Sequence, residues 1–431
     1  MRKMKDSGLQ WIGNIPEEWT VGRVKDVISL LTDYTANGSF GDLAKNVQYL
    51  DDGYARLVRL TDLRENLTNA NGIFIDEPTF NYLAKSKLKS GDILVANVGA
   101  YSGLFCEMPK VEYPCSLAPN MFLIRTNKRM IQHFLFYVGS SNFVWEQLVQ
   151  KAVSSAQPKL NKTDIKTTFL PIPPIDEQQK IADFLDEKCG EIDSIRSDVQ
   201  REIEIMNDYK KSVITEAVTK GLSPKAKLKD SGIEWIGKIP EGWNIEKGKY
   251  ILQYMQKPVK DNDGVITCFR DGEVTLRSNR REEGFTVADK EIGYQGIDVG
   301  DLVVHGMDGF AGAIGISDSR GKASPVLNVL NSKHNKRYLM YYLRSMAYSN
   351  VFVAIATGIR VRSCDLRWNK LAELRYPIPP IEEQNQIVKY IDDTLNQVDN
   401  IIADKQKQLE TLDEYKKSLI FEYVTGKKEV S

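Results

Sequence analysis

The side chains in this sequence best equipped to do chemistry are arginines, and they come in short polar bursts. The stretch CFRDGEVTLRSNRREEG carries Arg270, Arg277, Asn279, Arg280 and Arg281, and TGIRVRSCDLRWN adds Arg360, Arg362 and Arg367. Earlier in the chain YARLVRLTD offers Tyr54, Arg56, Arg59 and Thr61, followed by Tyr101, Ser154, Ser155, Gln157 and Lys159. Arginine and lysine meet phosphates and guanine edges, asparagine and glutamine meet adenine, and hydroxyls meet either, with aromatic rings in support. These residue types point to recognition of base edges and backbone phosphates. Any single one could equally be solvated or salt-bridged; the 270–281 cluster is the strongest as a set.

Motifs for bond-making chemistry are missing. There is no G-x-x-x-x-G-K-S/T phosphate loop, no G-x-G-x-x-G cofactor loop and no H-E-x-x-H metal helix. The only paired prolines lie in P-I-P-P-I, not in the Asn/Asp-Pro-Pro-Tyr/Phe of an amino-methylating site. The histidines His133, His305 and His334 cluster with no carboxylate in sequence and read as structural, with Asp301 and Asp308 as turn formers. The five cysteines (Cys106, Cys115, Cys189, Cys268 and Cys364) are scattered and form no C-x-x-C, so neither a disulfide framework nor a zinc site is expected and a reducing cytoplasm fits. No apolar run approaches the roughly 20 residues of a membrane span. The opening MRKMKDSGLQW lacks the apolar segment of a signal peptide. A non-catalytic chain without metal or cofactor is the expectation.

Composition is that of a core-forming globular protein, with 42% hydrophobic and 27% charged residues among 431 and zero net charge. The charge is segregated along the chain. Residues 20–170 carry a net +3 and 244–376 a net +5, whereas 171–220 carry −5 and 377–431 carry −4. Basic segments suit a phosphate surface; acidic ones suit solvated helices or a protein partner.

The elements that must position these residues are written twice. KDSGLQWIGNIPEEW at 5–19 returns as KDSGIEWIGKIPEGW at 229–243, identical at 11 of 15 positions. PIPPIDEQQKIADFLDEKCGEIDSI at 171–195 returns at 377–401, and YKKSVITEAVTKG at 209–221 returns at 415–427. The chain is a tandem duplication in the order tag, domain, helix, tag, domain, helix. Between these landmarks only GDILVANVGAYSG and GDLVVHGMDGFAG align, and loosely. After each P-I-P-P run, prolines hold an extended approach and acidic residues fill a first helical turn. Leu185, Ile192, Val199, Met206 and Val213 then recur every seven residues, matched by Ile391, Val398, Leu412 and Leu419 in the second copy, with Lys405 as a polar interruption. This is a coiled-coil seam, and about 45 residues would make a rod of roughly 65 Å. Pairing of the two helices on each other, antiparallel, is the simplest closure. The fold class is therefore α+β: two globular domains of mixed α/β content, separated by two long antiparallel coiled-coil helices, in a pseudo-twofold internal duplication. The boundaries fall at 1–170, 171–220, 221–376 and 377–431.

The doubled K-D-S-G-L/I-x-W-I-G tag, the doubled P-I-P-P-I-D/E-E-Q helix start, and FRDGEVTLRSNRREEGFT with GDLVVHGMDGFAGAIG closely resemble the specificity (S) subunits of type I restriction–modification systems, over nearly the whole chain. The resemblance implies two target-recognition domains, each reading one half of a bipartite, asymmetric double-stranded DNA site, with the helices fixing the gap. It implies two methyltransferase (M) and two restriction (R) subunits as partners. S-adenosylmethionine, ATP and Mg would belong to those partners, and no membrane is involved. The acidic helices and the E-Q starts are expected to dock M. Substituting Arg277 and Arg280 together is expected to weaken DNA binding. Two other classes stay open from sequence: a structural coiled-coil protein with two ligand-binding domains, and a nuclease with a hidden catalytic centre.

Overall fold

The computed structural model describes residues 2–152, 158–280, 292–354 and 366–430. The chain forms two compact units, one of Met1–Asp198 with Lys407–Ser431 and the other of Val199–Gln406. The units part within the long helices, and the first unit takes up the end of the chain.

In the first unit a four-stranded antiparallel sheet runs in the order Ile28–Asp33, Met121–Thr126, Ile93–Ala96 and Phe105–Glu107. Its two central strands are buried almost throughout, so they read as continuous apolar runs rather than alternating ones. A second, mixed sheet holds Ile73–Ile75, Ala55–Val58, Cys115–Leu117 and Lys87–Leu88, with Ala55–Val58 parallel to Cys115–Leu117. Helices Gln132–Gly139 and Asn142–Ala152 cover the first sheet and share its apolar core.

The second unit repeats the first sheet with the same strand order: Leu252–Tyr254, Leu327–Ser332, Leu302–His305 and Ile314–Ile316. The helix Lys336–Tyr348 packs on it. Where the first unit has its mixed sheet, the second has two antiparallel pairs: a hairpin, Ile266–Cys268 with Val274–Leu276, and a non-local pair, Gln295–Ile297 with Gly321–Ala323. Each head is closed at its base by one antiparallel pair that contains the proline run. Thr20–Arg23 pairs with Phe169–Ile172, and Asn244–Lys247 pairs with Arg375–Ile378.

The long helices span Ile175–Lys220 and Ile381–Val424. Their seam residues are inside: Leu185, Ile192, Val199, Val213, Ile391, Val398 and Leu419 are buried, and Met206 and Leu412 are half-buried. Ion pairs give the direction. In the first unit Lys416 meets Asp193 at 2.7 Å and Arg196 meets Asp413 at 2.7 Å. In the second Lys405 meets Glu202, and Lys210 meets Asp399. As the number on one helix rises, that on the other falls, so the helices pair antiparallel in each unit. Asp193 and Lys210 are the duplicates of Asp399 and Lys416, so one ion pair is made twice. Lys405, the interruption in the seam, is held half-buried by Glu202.

Each tag seats on the glycine that ends a long helix. Gly221 and Gly426 have φ +72° and +69°, the left-handed conformation that closes a helix. A Cβ on Gly426 would come within 2.4 Å of Pro16 and 3.1 Å of Trp19; one on Gly221 would stand 3.2 Å from Trp243.

Candidate nucleic-acid interface

Two clamps hold each head to its helix, and both are duplicated. Gln178 and Gln384, the glutamines of the helix starts, are fully buried. Gln178 accepts from the Ile131 backbone N–H at 2.8 Å and donates to the carbonyls of Arg129 and Pro173. Gln384 accepts from Asn335 at 2.9 Å and donates to the carbonyl of Pro379. The expectation that the E-Q starts form a docking surface is corrected here for the glutamines: their amides satisfy backbone groups inside the head. Glu177 is likewise engaged, by the Trp19 indole N–H at 2.8 Å and by Arg2.

The second clamp is a carboxylate on the long helix. Tyr137 donates to Asp186 at 2.6 Å, and Tyr341 donates to Asp392, the duplicate of Asp186. A basic residue one helical turn before each tyrosine joins it: His133 beside Asp186 and Arg337 beside Asp392. His133 thus contradicts the reading that no carboxylate attends the histidines. Its ring lies 2.7 Å from Glu107 and 2.6 Å from Asp186, which are far away in sequence. The hydrogen bond to Glu107, then that to Asp186, push its pKa up to about 9 against the opposing effect of burial.

In the second head the arginine-rich segment forms the hairpin Ile266–Cys268/Val274–Leu276, with Phe269–Glu273 as its tip. Three glycines let the tip sit down on the sheet. Gly272 has φ +93°, a Cβ on Gly315 would stand 1.9 Å from the Gly272 carbonyl oxygen, and one on Gly312 would stand 2.6 Å from that of Arg270. Arg344 donates to the Asp271 carbonyl at 2.7 Å and fixes the tip from the helix side. The side chains are held individually. Arg280 lies 4.2 Å over the Phe269 ring and pairs with Asp271 at 2.7 Å and Glu273 at 2.8 Å. Arg277 donates to Thr267 Oγ1 and Asn279 to Thr275 Oγ1, each at 3.0 Å. Arg270 is 65% exposed and reaches Asp308 at 3.0 Å. Arg367 is exposed at the start of the helix Trp368–Glu373, against Gly306. Arg270 and Arg367 therefore converge on the turn His305–Asp308. Burial lowers the His305 pKa, and its Nδ1 accepts from the backbone N–H groups of Met307 and Asp308, as a neutral imidazole does.

The first head is less uniform. Arg56 is 4% exposed and donates to the Leu67 carbonyl at 2.6 Å and to Asn69 Oδ1 at 2.5 Å, with Asp62 alongside at 3.5 Å. Arg56, expected among the DNA contacts, is buried and turns its guanidinium to partners inside the domain. Arg59 makes two bonds to Asp62 and one to the Asn71 carbonyl. Burial pushes the Asp62 carboxyl up, but the Arg59 hydrogen bonds outweigh it and hold it down at about 2. Thr61 is exposed, and Tyr54 is exposed 5.6 Å from Phe80. Tyr101 is exposed beneath Arg64, whose guanidinium lies 4.1 Å from the ring, a partner the sequence reading missed. Lys159 is exposed and bridged to Val98 along an open cleft of about 1070 Å³. The rim of this cleft carries the exposed rings of Phe40 and Tyr49, and Asn97 offers it a buried Oδ1 with no partner among the described residues. Nothing in the sequence singled out Phe40 or Asn97. Ser154, Gln157, Arg281, Arg360 and Arg362 lie outside the described residues.

Among the described residues no group of three or more His, Cys, Asp or Glu could hold a metal ion, and no helix is long and apolar enough to cross a membrane.

Comparison with known proteins bears on what this arrangement is for. A family model described as the type I restriction modification DNA specificity domain matches residues 16–204 and 277–411. The chain is similar to the putative type I restriction enzyme MjaX specificity subunit of Methanocaldococcus jannaschii, 25% identical over 442 residues, covering 96% of this chain and 95% of that one. It is 18% identical over 401 residues to the StySPI specificity subunit of Salmonella potsdam, covering 90% and 84%. Among solved structures, a chain from a study of type I R-M complex assembly and conformational transition superposes with a TM-score of 0.66 at 16% identity, covering 96% of this chain and 99% of that one. The HsdS subunit of Thermoanaerobacter tengcongensis gives 0.50, also at 16% identity, with 96% and 98% covered. At such identities the structural likeness speaks to the fold alone.

Proposed function

The chain belongs to the type I restriction–modification DNA specificity family, and from that premise we propose that it is the DNA sequence-specificity subunit of such a system. Each head reads one half of a bipartite, asymmetric site in double-stranded DNA, and the paired helices set the gap between the halves. The chain performs no bond-making step. Adenine methylation and ATP-driven cleavage belong to methyltransferase and restriction subunits, two of each, which carry S-adenosylmethionine, ATP and Mg. The acidic outer faces of the helices, rather than the buried glutamines of their starts, are the surface offered to the methyltransferase subunits. A cytoplasmic location goes with this role.

The observation that carries the reading is the combination of identical clamps with unlike contents. Gln178 and Gln384, and Asp186 and Asp392, occupy equivalent places, and the two Trp-bearing tags agree at 11 of 15 positions. Beyond the shared sheet, one head carries a mixed four-stranded sheet and an aromatic-rimmed cleft, the other a hairpin whose tip presents Arg270 with Arg280 packed against it. A device that holds two different readers in one frame needs that division. A purely structural coiled coil does not need unlike basic heads. The test is equilibrium binding of the full chain to duplexes carrying both half-sites, one half-site or neither. Affinity should fall steeply with added salt, as phosphate contacts require, and the two-half duplex should bind more tightly than either single half. Salt-independent affinity, or equal affinity for all three duplexes, would overturn the proposal.

A further inference from the structure

Resting on the reading of the second head as a DNA reader, we propose that Arg270 is its guanine-reading side chain, aimed by Asp308, and so determines one base pair of the target.

The argument starts from what is fixed. The Arg270 carbonyl lies where only a glycine at 312 leaves room, and the Phe269–Gly272 turn closes on itself through the Gly272 N–H to the Phe269 carbonyl at 3.0 Å. Gly315 on the sheet below and Arg344 on the helix hold the rest of the tip. The backbone under Arg270 is therefore clamped on three sides, while its side chain is 65% exposed. Such a rigid base with a projecting donor loses little freedom on binding.

The guanidinium is aimed but not used up. Arg270 holds Asp308 through Nη2 only, and among the described residues its Nε and Nη1 donate to nothing. Asp308 is itself placed, with its backbone N–H on His305 Nδ1 at 2.9 Å and its carbonyl capping the Ala311 N–H at 2.9 Å. The neighbouring arginine is different. Arg280 is bound by two carboxylates and lies against the Phe269 ring, so it builds the tip. Asp308 takes one bond from Nη2, so Nη1 and the second hydrogen of Nη2 leave the exposed guanidinium an end-on fork that fits the paired N7 and O6 acceptors of guanine in the major groove. Adenine sets an amino donor against the same fork and is refused. Asp308 keeps the fork from swinging to a phosphate, because one of its arms is already tied.

The experiment is selection of duplexes from a randomised library by the full chain, scored base by base. The wild type should enrich a half-site with an obligatory G·C pair contributed by the second head. In Arg270→Ala the preference at that one pair should fall by about 5- to 150-fold while its neighbours hold. Arg270→Lys keeps the charge but lacks the fork, and should relax the same pair. Asp308→Asn should relax it less. A wild type that enriches no motif would sink the DNA-reading premise itself. The Arg270 assignment alone is overturned if Arg270→Ala, with an unaltered melting temperature, keeps full preference at every pair or loses all pairs of the half-site equally, or if Arg270→Lys retains the wild-type motif.

Discussion

Arg56 and Arg270 carry the same guanidinium into opposite circumstances, and the difference is set by neighbours that lie outside their local sequence. Arg56 sits in a strand buried on both faces, with Asp62 and Asn69 arriving from the following helix and loop. Nothing in YARLVRLTD distinguishes it from Arg59 or from an exposed basic residue. Arg56→Ala should lower stability by about 2–4 kcal/mol, because it leaves the Leu67 carbonyl and the Asn69 side chain without their buried donor; chemical denaturation measures this. The partners of His133, whose role is structural as expected, are out of view in sequence for the same reason, since Glu107 and Asp186 reach it only through the fold. Its folded pKa of about 9 exceeds the ordinary unfolded value of about 6.5. The stability it contributes is therefore complete below about pH 6.5 and is lost as pH rises through about 9. The melting-temperature difference between wild type and His133→Gln should be largest at pH 6 and shrink toward pH 10; a constant difference across that range would contradict the pairing.

At the scale of elements, what could be read from sequence was what must fit a neighbouring copy of the same frame. The helix starts repeat because Gln178 and Gln384 each satisfy buried backbone groups, and the tags repeat because proline and tryptophan cover a helix-ending glycine. Strands of the common four-stranded sheet were legible at Ile93–Ala96, Met121–Thr126, Leu302–His305 and Ile314–Ile316, but their pairing and order were not. Strands such as Ile93–Ala96 and Leu302–His305 are almost wholly buried, and a buried strand accepts nearly any mixture of Ile, Leu and Val. Gln178→Ala should cost about 2–4 kcal/mol by stranding the Ile131 N–H and two carbonyls, whereas the exposed neighbour Gln179→Ala should cost under 0.5 kcal/mol. The antiparallel pairing is open to a charge swap. Asp193→Lys and Lys416→Asp should each destabilise by about 0.5–1 kcal/mol, and the double variant should recover most of the loss. At the hairpin tip, Gly315→Ala should cost more than about 2 kcal/mol, since its methyl would collide with the Gly272 carbonyl.

For the molecule as a whole, the doubled frame is the property from which recognition of a two-part site follows. A duplication alone would give two copies of one reader. Here the clamps have been kept alike while the rest of each head has diverged, into a cleft rimmed by Phe40 and Tyr49 in one and a hairpin tip bearing Arg270 in the other. Two unlike readers require an asymmetric target, and like clamps make the readers exchangeable. The central claim is met most directly by replacing residues 20–170 with the corresponding head of another family member and mapping methylated adenines across the genome of a host that carries the chimera and the methyltransferase partner. The account predicts a new motif in one half of the recognised site, with the other half and the gap between them as in the wild type. A motif unchanged in both halves, or altered in both at once, would contradict it.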